Sequence, residues 1–485
     1  MGQIISFQNL SVAPYEVEKL MDIKMEHKVN EHSTLYIKAM LSEEIKDNYV
    51  KNCRQGSDVS LCIKNIENDG VLFCGIVKDI EVSMVQGSYY MELYAVSYSY
   101  LLDIETKNRT FQDKQKTYDF LENQIMEKYE DAMIMDVVSQ GRELGQLIVQ
   151  YQETDWEFLK RLASHFNTGM VNDVHYNKIR CYFGVPNNGT HTIEAFNFSV
   201  KKDMGKFLKL SQNGIDGIAE GDFVYYEIES EEPADIGEVV YFQGQKLYVC
   251  QVKACINRGV LLFYLTLTTK NGMSQLFQMH KKIVGVSLNA KIDEIENDRV
   301  KVSLQIDKEA NHTPGKQCFF PYSTIYSSKD GSGWYCMPEI GDSVRIYFPD
   351  GIEEHSYAIS SVHDEVDTDM QTGSGNNRSN DEYSGQRDNP SIKSLRNQNG
   401  KEIRLTPDGI YIIADGTTIT LMDEGGVSVV SDKNIEFKSD QNIVISAEQD
   451  VSIVGLAGVD LSCSETASIR LEENVEVIGQ EVKAN

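Results

Sequence analysis

The last 85 residues of the chain, 401–485, carry apolar side chains at a fixed spacing of eight. Ten apolar positions eight residues apart begin at Ile403, and ten more begin two residues later at Leu405. The residue between the two is mostly polar, as at Arg404 and Glu436. Alternation at i and i+2 is typical of a strand with one buried face. Gly, Asn or Asp before many of these strands favours a tight corner, so each octad predicts one short strand and one bend.

Ten such octads in succession predict a rigid rod. A fixed period marks a repeat architecture whose units bury their apolar faces only by stacking, since one octad encloses no core by itself. In one arrangement, three successive octads of a single chain form each turn of a β-helix. In another, three chains each supply one face of an intertwined prism. An ordinary antiparallel sandwich with short hairpins is a third arrangement, which the even spacing disfavours.

Upstream of the repeat, the pattern is mainly that of strands. Two short helices are predicted, one at 118–130 and one after Thr154, where Glu157 completes a capping box. The predicted segments are a first small β-barrel at 1–100, a helical connecting segment at 101–177, a second barrel at 178–281, an OB-fold at 282–365, a polar linker at 366–400 and the octad repeat at 401–485.

Composition narrows the class of protein. The net charge of −28 argues against a surface that binds nucleic acid or anionic membranes. No run of 18 or more apolar residues and no secretory signal pattern is visible. The nine cysteines are scattered without a CxxC pair, which indicates reduced thiols in a protein that folds in the cytosol. We therefore predict no metal and no cofactor.

Two groups of acidic residues are candidates for catalysis. Glu153, Asp155 and Glu157 could act as paired carboxylates, but acids are also favoured in the first turn of a helix, and the latter interpretation is preferred. His165 and His175 have no evident partner and are predicted to be structural.

Three aspartates on the predicted rod are the second group. Asp415, Asp423 and Asp432 are the residue type that a carbohydrate-cleaving β-helix enzyme would use. Solvated charge on the outer face of a rod explains them more simply. A polysaccharide-degrading β-helix enzyme nevertheless remains the alternative function.

Several stretches, in their order along the chain, resemble the VgrG family, the trimeric hub-and-spike proteins of contractile injection systems. Residues 151–162 resemble the family's Tyr-x-Glu-x-Asp-x-x-Phe-x-x-Arg-Leu pattern. Residues 73–77, followed by 109–112, resemble the family's first hub barrel and the segment after it. Residues 338–351 resemble its OB-domain signature, and residues 400–405 resemble the opening of its spike.

The resemblance implies a mainly β homotrimer. It implies two hub β-barrels with short helices, an OB-fold barrel, and a C-terminal intertwined three-chain β-helix, or β-prism, as the spike. The hub would cap an inner tube beside baseplate proteins, and the spike would pierce a target membrane mechanically, without catalysis. The expected core of the trimeric spike is Ile419, Leu421, Val427, Val429, Ile435, Phe437, Ile443, Ile445, Val451, Ile453, Val459 and Leu461.

The chain also departs from some relatives of this family. The linker at 366–400 is too short for a lysozyme-like domain, and the sequence stops soon after Val477, so no toxin domain is expected. No histidine follows His363 to bind iron at the tip. A separate PAAR-type tip protein, and effectors as cargo, are therefore expected partners. Assembly is expected in the bacterial cytoplasm, with delivery to the target cell envelope.

Overall fold

The structure is a computed structural model that divides the chain into two units, Met1–Asp367 and Thr368–Asn485. It is mainly β, as predicted. The residues it describes are 4–45, 48–54, 56–64, 70–187, 189–193, 197–307, 316–325, 336–359, 389–397, 399–463 and 467–471. Most of the predicted linker, the region around His363 and the end of the repeat after 471 lie outside these residues.

The first segment forms the strands predicted for a barrel. In β3 every second side chain is buried, as expected for a strand with one face in a core. The elements are β1 (Leu10–Ala13), β2 (Lys19–Lys28), β3 (Thr34–Leu41), α1 (Asn48–Asn52), β4 (Asp58–Ile63), β5 (Gly70–Val85) and β6 (Ser88–Ser97).

The connecting segment contains strands as well as the two predicted helices. It has its own core, which includes Trp156 and Phe158 and extends past the predicted boundary at 177 to Phe183. The first helix begins at Tyr118 as predicted and ends at Met126, before the predicted end. No helix in the described ranges is both long and apolar enough to cross a membrane. The elements are β7 (Thr106–Phe111), α2 (Tyr118–Met126), β8 (Met133–Asp136), β9 (Ile148–Thr154), α3 (Asp155–Ser164), β10 (Met170–Asn172) and β11 (Arg180–Phe183).

The strands between residues 190 and 268 join those of the first segment in a single 12-stranded sheet. The elements of this stretch are β12 (Thr190–Thr192), β13 (Phe198–Lys202), α4 (Met204–Gln212), β14 (Val224–Ser230), β15 (Val239–Phe242), β16 (Gln245–Asn257) and β17 (Val260–Thr268). The order is β1-β4-β5-β6-β3-β2-β16-β17-β14-β13, with β15 pairing both β12 and β16.

The junction within this sheet lies between β2 and β16. These strands are antiparallel, with His27 opposite Val252 and Lys24 opposite Cys255. Side chains from both segments, among them Leu35 and Phe263, belong to one hydrophobic core. The two segments predicted as separate barrels therefore share a sheet and a core, because β2 pairs with β3 along one edge and β16 along the other.

The predicted OB-fold segment is a five-stranded antiparallel sheet of order β20-β19-β18-β21-β22. An additional parallel bridge between Tyr322, one residue past β20, and Ala358 of β22 closes the sheet into a small barrel. Val149 of β9 is part of the core of this barrel. The strands are β18 (Ser287–Glu296), β19 (Arg299–Leu304), β20 (Phe319–Pro321), β21 (Ser343–Tyr347) and β22 (Tyr357–Ile359).

The second unit begins with an antiparallel meander. Each strand pairs with the next one along the same chain. The strands are β23 (Lys393–Arg396), β24 (Glu402–Thr406), β25 (Gly409–Ala414), β26 (Thr417–Met422) and β27 (Gly426–Ser431). Residues 432–458 follow without a strand, and then β28 (Val459–Cys463) and β29 (Ala467–Leu471) form a hairpin.

The first octads therefore differ from the predicted intertwined arrangement. From 402 to 431 their strands pair within the chain as hairpins, which is the pairing that the even spacing had disfavoured. At the middle hairpin a local cause is present, since Asp415 and Gly416 form the two-residue loop between Ala414 and Thr417, and Asp-Gly favours a tight hairpin turn. Gly416 has φ +69°, a conformation that glycine adopts without strain.

Candidate functional site

The 151–162 motif places a buried aspartate at the start of α3. Thr154 caps the helix, and the amide nitrogen of Glu157 lies 3.1 Å from its hydroxyl oxygen, which confirms the capping box. Asp155 follows the cap and is fully buried. Nη2 of Arg109 donates to it at 2.6 Å, and Nζ of Lys107 at 2.7 Å. Burial alone would raise the pKa of Asp155, but Arg109 and Lys107 outweigh burial and hold it below its usual range.

A second buried ion cluster is centred on Arg161, one turn from the end of the same helix. Its Nη2 donates to Oε2 of Glu153 at 2.9 Å and to the carbonyl oxygen of Val149 at 2.6 Å. Its Nη1 donates to Oε1 of Glu353 at 2.8 Å. Glu353 lies in the short turn before β22, so this contact joins the helix to the OB barrel. Burial raises the pKa of Glu153 in spite of Arg161.

Further polar contacts hold the OB barrel to the connecting segment. Asp307 accepts hydrogen bonds from the amide and hydroxyl of Thr110 at 2.6 and 2.5 Å. Gln112 donates to the carbonyl oxygen of Val302 at 3.2 Å. Lys282, which lies between β17 and β18 in sequence, forms an ion pair with Glu157 at 2.7 Å. We call this set of contacts, together with Arg161 and Glu353, the hub–OB junction.

The acidic residues considered as paired carboxylates are bound by different cations. Arg161 binds Glu153, Arg109 and Lys107 bind Asp155, and Lys282 binds Glu157. This geometry supports the interpretation as a helix cap and adds a role that the sequence did not suggest, the joining of two barrels. Within the described ranges, no group of three His, Cys, Asp or Glu side chains is arranged to hold a metal ion.

The histidines singled out in the sequence both have partners. Nδ1 of His165 lies 2.9 Å from the Tyr118 hydroxyl, and burial lowers the pKa of His165 to about 3. His175 lies between Asp173, at 3.0 Å, and Asp235, at 3.6 Å. Only the fold brings these partners together, since Tyr118 and Asp235 are 47 and 60 residues from the histidines they contact.

His280 is a buried histidine at the hub–OB junction that sequence reasoning missed. It is 1% exposed, and its Nε2 lies 3.6 Å from Oε2 of Glu153. Neither ring nitrogen forms a hydrogen bond with the described part of the chain. Burial, with Arg161 and Lys282 nearby, lowers its pKa to about 3, so the imidazole is neutral at pH 7.

The twelve predicted spike-core residues do not form a core within one chain. Ten are exposed, and Ile419 and Val459 are half-buried. Phe437 is 76% exposed and Ile445 is 72% exposed, in the part of the repeat without strands. The single chain therefore presents a contiguous set of exposed apolar side chains along the repeat, which is more than soluble proteins usually leave in water. Asp415 and Asp423 lie in the hairpin loops of the meander, and Asp432 lies just after β27.

No family model and no curated protein sequence matches the chain. Solved structures with a similar fold exist. The E. coli c3393 protein, a component of the type VI secretion system similar to the T4 bacteriophage tail proteins gp27 and gp5, shares 12% identity at a TM-score of 0.50. The match covers 73% of this chain and 99% of that one.

A Francisella PdpA–VgrG complex in its lidded form is also similar, at 9% identity and a TM-score of 0.51. That match covers 85% of this chain and 76% of that one. A lidless form of the complex matches at a TM-score of 0.50 over 84% of this chain. These likenesses show the architecture: the chain has a VgrG-like hub-and-spike fold.

Proposed function

We propose that the chain is the structural hub and spike of a contractile injection system, that it works as a homotrimer, and that it has no catalytic activity. The observation that carries the proposal is the uncovered octad repeat. Between 432 and 458 apolar residues recur every eight positions, and their side chains stay exposed in the single chain. Burying one such side chain contributes about 1.5–3 kcal/mol, so two further copies of the same repeat would gain a large stabilisation by intertwining.

The antiparallel meander supports a proposal in which the two parts of the repeat have different tasks. Residues 402–431 satisfy their backbone hydrogen bonds within one chain, so this part does not require another chain for its strand pairing. Residues 432–458 have no such pairing and would become strands only in the trimer. The intertwined prism is therefore proposed to begin after Ser431.

The hub–OB junction is proposed to transmit force from the hub toward the spike. A spike driven through a membrane is pushed from behind, and the load must cross the connection between the hub and the OB barrel. Arg161 bridges Glu153 and Glu353 there without access to water. Buried ion pairs of this kind favour one relative placement of the parts they join, because breaking them leaves an unpaired buried charge.

The partners of this trimer are proposed by analogy with the similar folds. They are an inner tube protein, baseplate proteins, a PAAR-type tip protein and an effector-like partner, the last because PdpA is in complex with VgrG in the Francisella structures. The trimer is proposed to assemble in the bacterial cytoplasm and to reach the target cell envelope with the contractile particle.

The test changes two adjacent core positions of the repeat. Ile443→Asp with Ile445→Asp would place six carboxylates at one level of the prism, and we expect loss of the trimer in light scattering coupled to gel filtration. The control is Ser428→Asp with Ser452→Asp, at outward positions of other octads, which should remain trimeric. A wild-type monomer, a stable trimer of the core variant, or turnover of a polysaccharide would overturn the proposal.

A further inference from the structure

A cavity of about 260 Å³ lies beneath the sheet where the two hub segments meet. Met25 of β2 and Val252 of β16 come from the two strands that join there. Ile63, Leu72 and Phe263 add apolar walls from three other strands. These five side chains are at most 8% exposed, so the cavity has an apolar interior that lies within the fold.

Among the described residues of the cavity lining, one polar side chain is buried. His27, on β2, is 4% exposed, and its Nε2 has no hydrogen-bond partner in the described ranges. Burial, with His175 nearby, lowers its pKa to about 4, so His27 carries no charge at pH 7. The deep end of the cavity is therefore apolar and uncharged, and it would exclude the charged group of a ligand.

The mouth of the cavity has the opposite character. His175 and Asp235 line it and are 35% and 46% exposed, and Glu238 lines it beside them. The amide of Asp235 donates to Oε2 of Glu238 at 2.8 Å, which holds the two acidic residues together. The other ring nitrogen of His175, Nδ1, lies 3.0 Å from Oδ1 of Asp173, which is outside the cavity lining. Two carboxylates and one imidazole therefore line the mouth.

We propose that this cavity binds a short unbranched aliphatic amine, with its hydrocarbon chain among the apolar walls and its ammonium group at Asp235 and Glu238. The size of the cavity agrees, since it is smaller than the roughly 300–1,000 Å³ of sites for drug-sized ligands. Because the apolar end of the cavity is deep and the acidic residues are at its mouth, a ligand must enter with its hydrocarbon end first. A lysine side chain of a partner protein would lead with its charge into the uncharged end, whereas a free alkylamine leaves its charge at the mouth.

The experiment is calorimetric titration of the full-length protein at pH 7 with four probes. n-Hexylamine should bind saturably with one site per chain. 1-Hexanol, which lacks the charge, should bind more weakly, while hexanoate and N-acetyl-lysine amide should not bind. Absence of saturable hexylamine binding, equal affinity for hexanol, or comparable binding of hexanoate would overturn the proposal. Binding of the lysine amide in place of hexylamine would also overturn it and would point to a partner's side chain.

Two variants place the ligand in the cavity. Asp235→Asn should weaken hexylamine binding about fivefold and leave hexanol binding unchanged, because only the ammonium group meets the lost charge. Glu231→Gln, at an exposed acid outside the cavity lining, is the matched control and should bind as the wild type does.

Ala234→Leu should weaken the binding of both hexylamine and hexanol by filling the cavity. Should that variant fail to fold, equal affinities of Asp235→Asn and Glu231→Gln would by themselves overturn the proposal.

Discussion

Arg161 donates from Nη1 to Oε1 of Glu353 at 2.8 Å, across 192 residues of sequence, and both side chains are buried. The same guanidinium binds Glu153, so one cation serves a carboxylate of the connecting segment and another of the OB barrel. Arginine suits this position because its planar fork can hold two carboxylates in a fixed geometry. The position of the OB barrel on the hub is thus tied to a motif residue of α3.

Replacing Arg161 should lower the free energy of unfolding more than replacing an exposed cation does. Arg161→Met leaves Glu153 and Glu353 buried without their cation, and we expect a loss of about 3–5 kcal/mol in the free energy of unfolding. The measurement is urea denaturation followed by tryptophan fluorescence. Lys178→Met breaks the exposed pair with Asp131 and serves as the control, with little change expected. Equal effects of the two changes would show that the junction contributes no more than a surface ion pair.

Glu122 of α2 should make the protein less stable as pH rises. It is fully buried, and neither carboxyl oxygen has a hydrogen-bond partner in the described ranges. Burial, then Asp136 and Asp119, raises its pKa from 4.5 to about 9. Between these values the unfolded chain releases the proton and the folded chain keeps it, so stability falls as pH increases from 4.5 to 9.

Glu122→Gln should remove this dependence, because the amide has nothing to titrate. Thermal unfolding at several pH values from 5 to 8.5 should show the variant gaining on the wild type as pH rises. Parallel curves for the two proteins would contradict the assignment of a protonated carboxyl at this position.

His280 should have the opposite effect, a loss of stability toward acid. The folded-state pKa of about 3 lies below the ordinary value of 6.5. Stability from the neutral ring is therefore present above pH 6.5 and is lost as pH falls toward 3. His280→Phe should reduce the loss in unfolding midpoint between pH 7 and 4.5. His355→Phe, at an exposed histidine paired with Asp350, is the control and should keep the wild-type dependence.

Replacing Gly416 by alanine should destabilise the meander more than replacing Gly426 does. Gly416 and Gly426 have φ of +69° and +70°, so alanine at either costs about 1–2 kcal/mol in backbone strain. A Cβ at Gly416 would also lie 2.2 Å from Oδ1 of Asp432, whereas Gly426 has open space around it. Gly416→Ala should therefore lower the melting temperature of the spike further than Gly426→Ala, as measured by circular dichroism. Equal shifts would mean that Asp432 moves aside without cost.

The sequence by itself determined the features that depend on near neighbours along the chain. The octad alternation correctly placed strands in the first octads, and Thr154 with Glu157 correctly placed the start of α3. The motif order predicted the VgrG-like fold that the similar solved structures support. These signals are local, because strand alternation and helix capping involve residues two to four positions apart.

Only the tertiary structure decided which distant residues meet. The pairing of β2 with β16 merges two predicted barrels into one sheet, and no local pattern marks a strand edge as open to a second partner. Glu353 carries no signal that it will bind Arg161, since that contact exists only after both barrels fold. The strand pairing of the first octads depends on both local sequence and tertiary contacts. An Asp-Gly loop at 415–416 favours a hairpin within the chain, because a two-residue loop brings the next strand back at once.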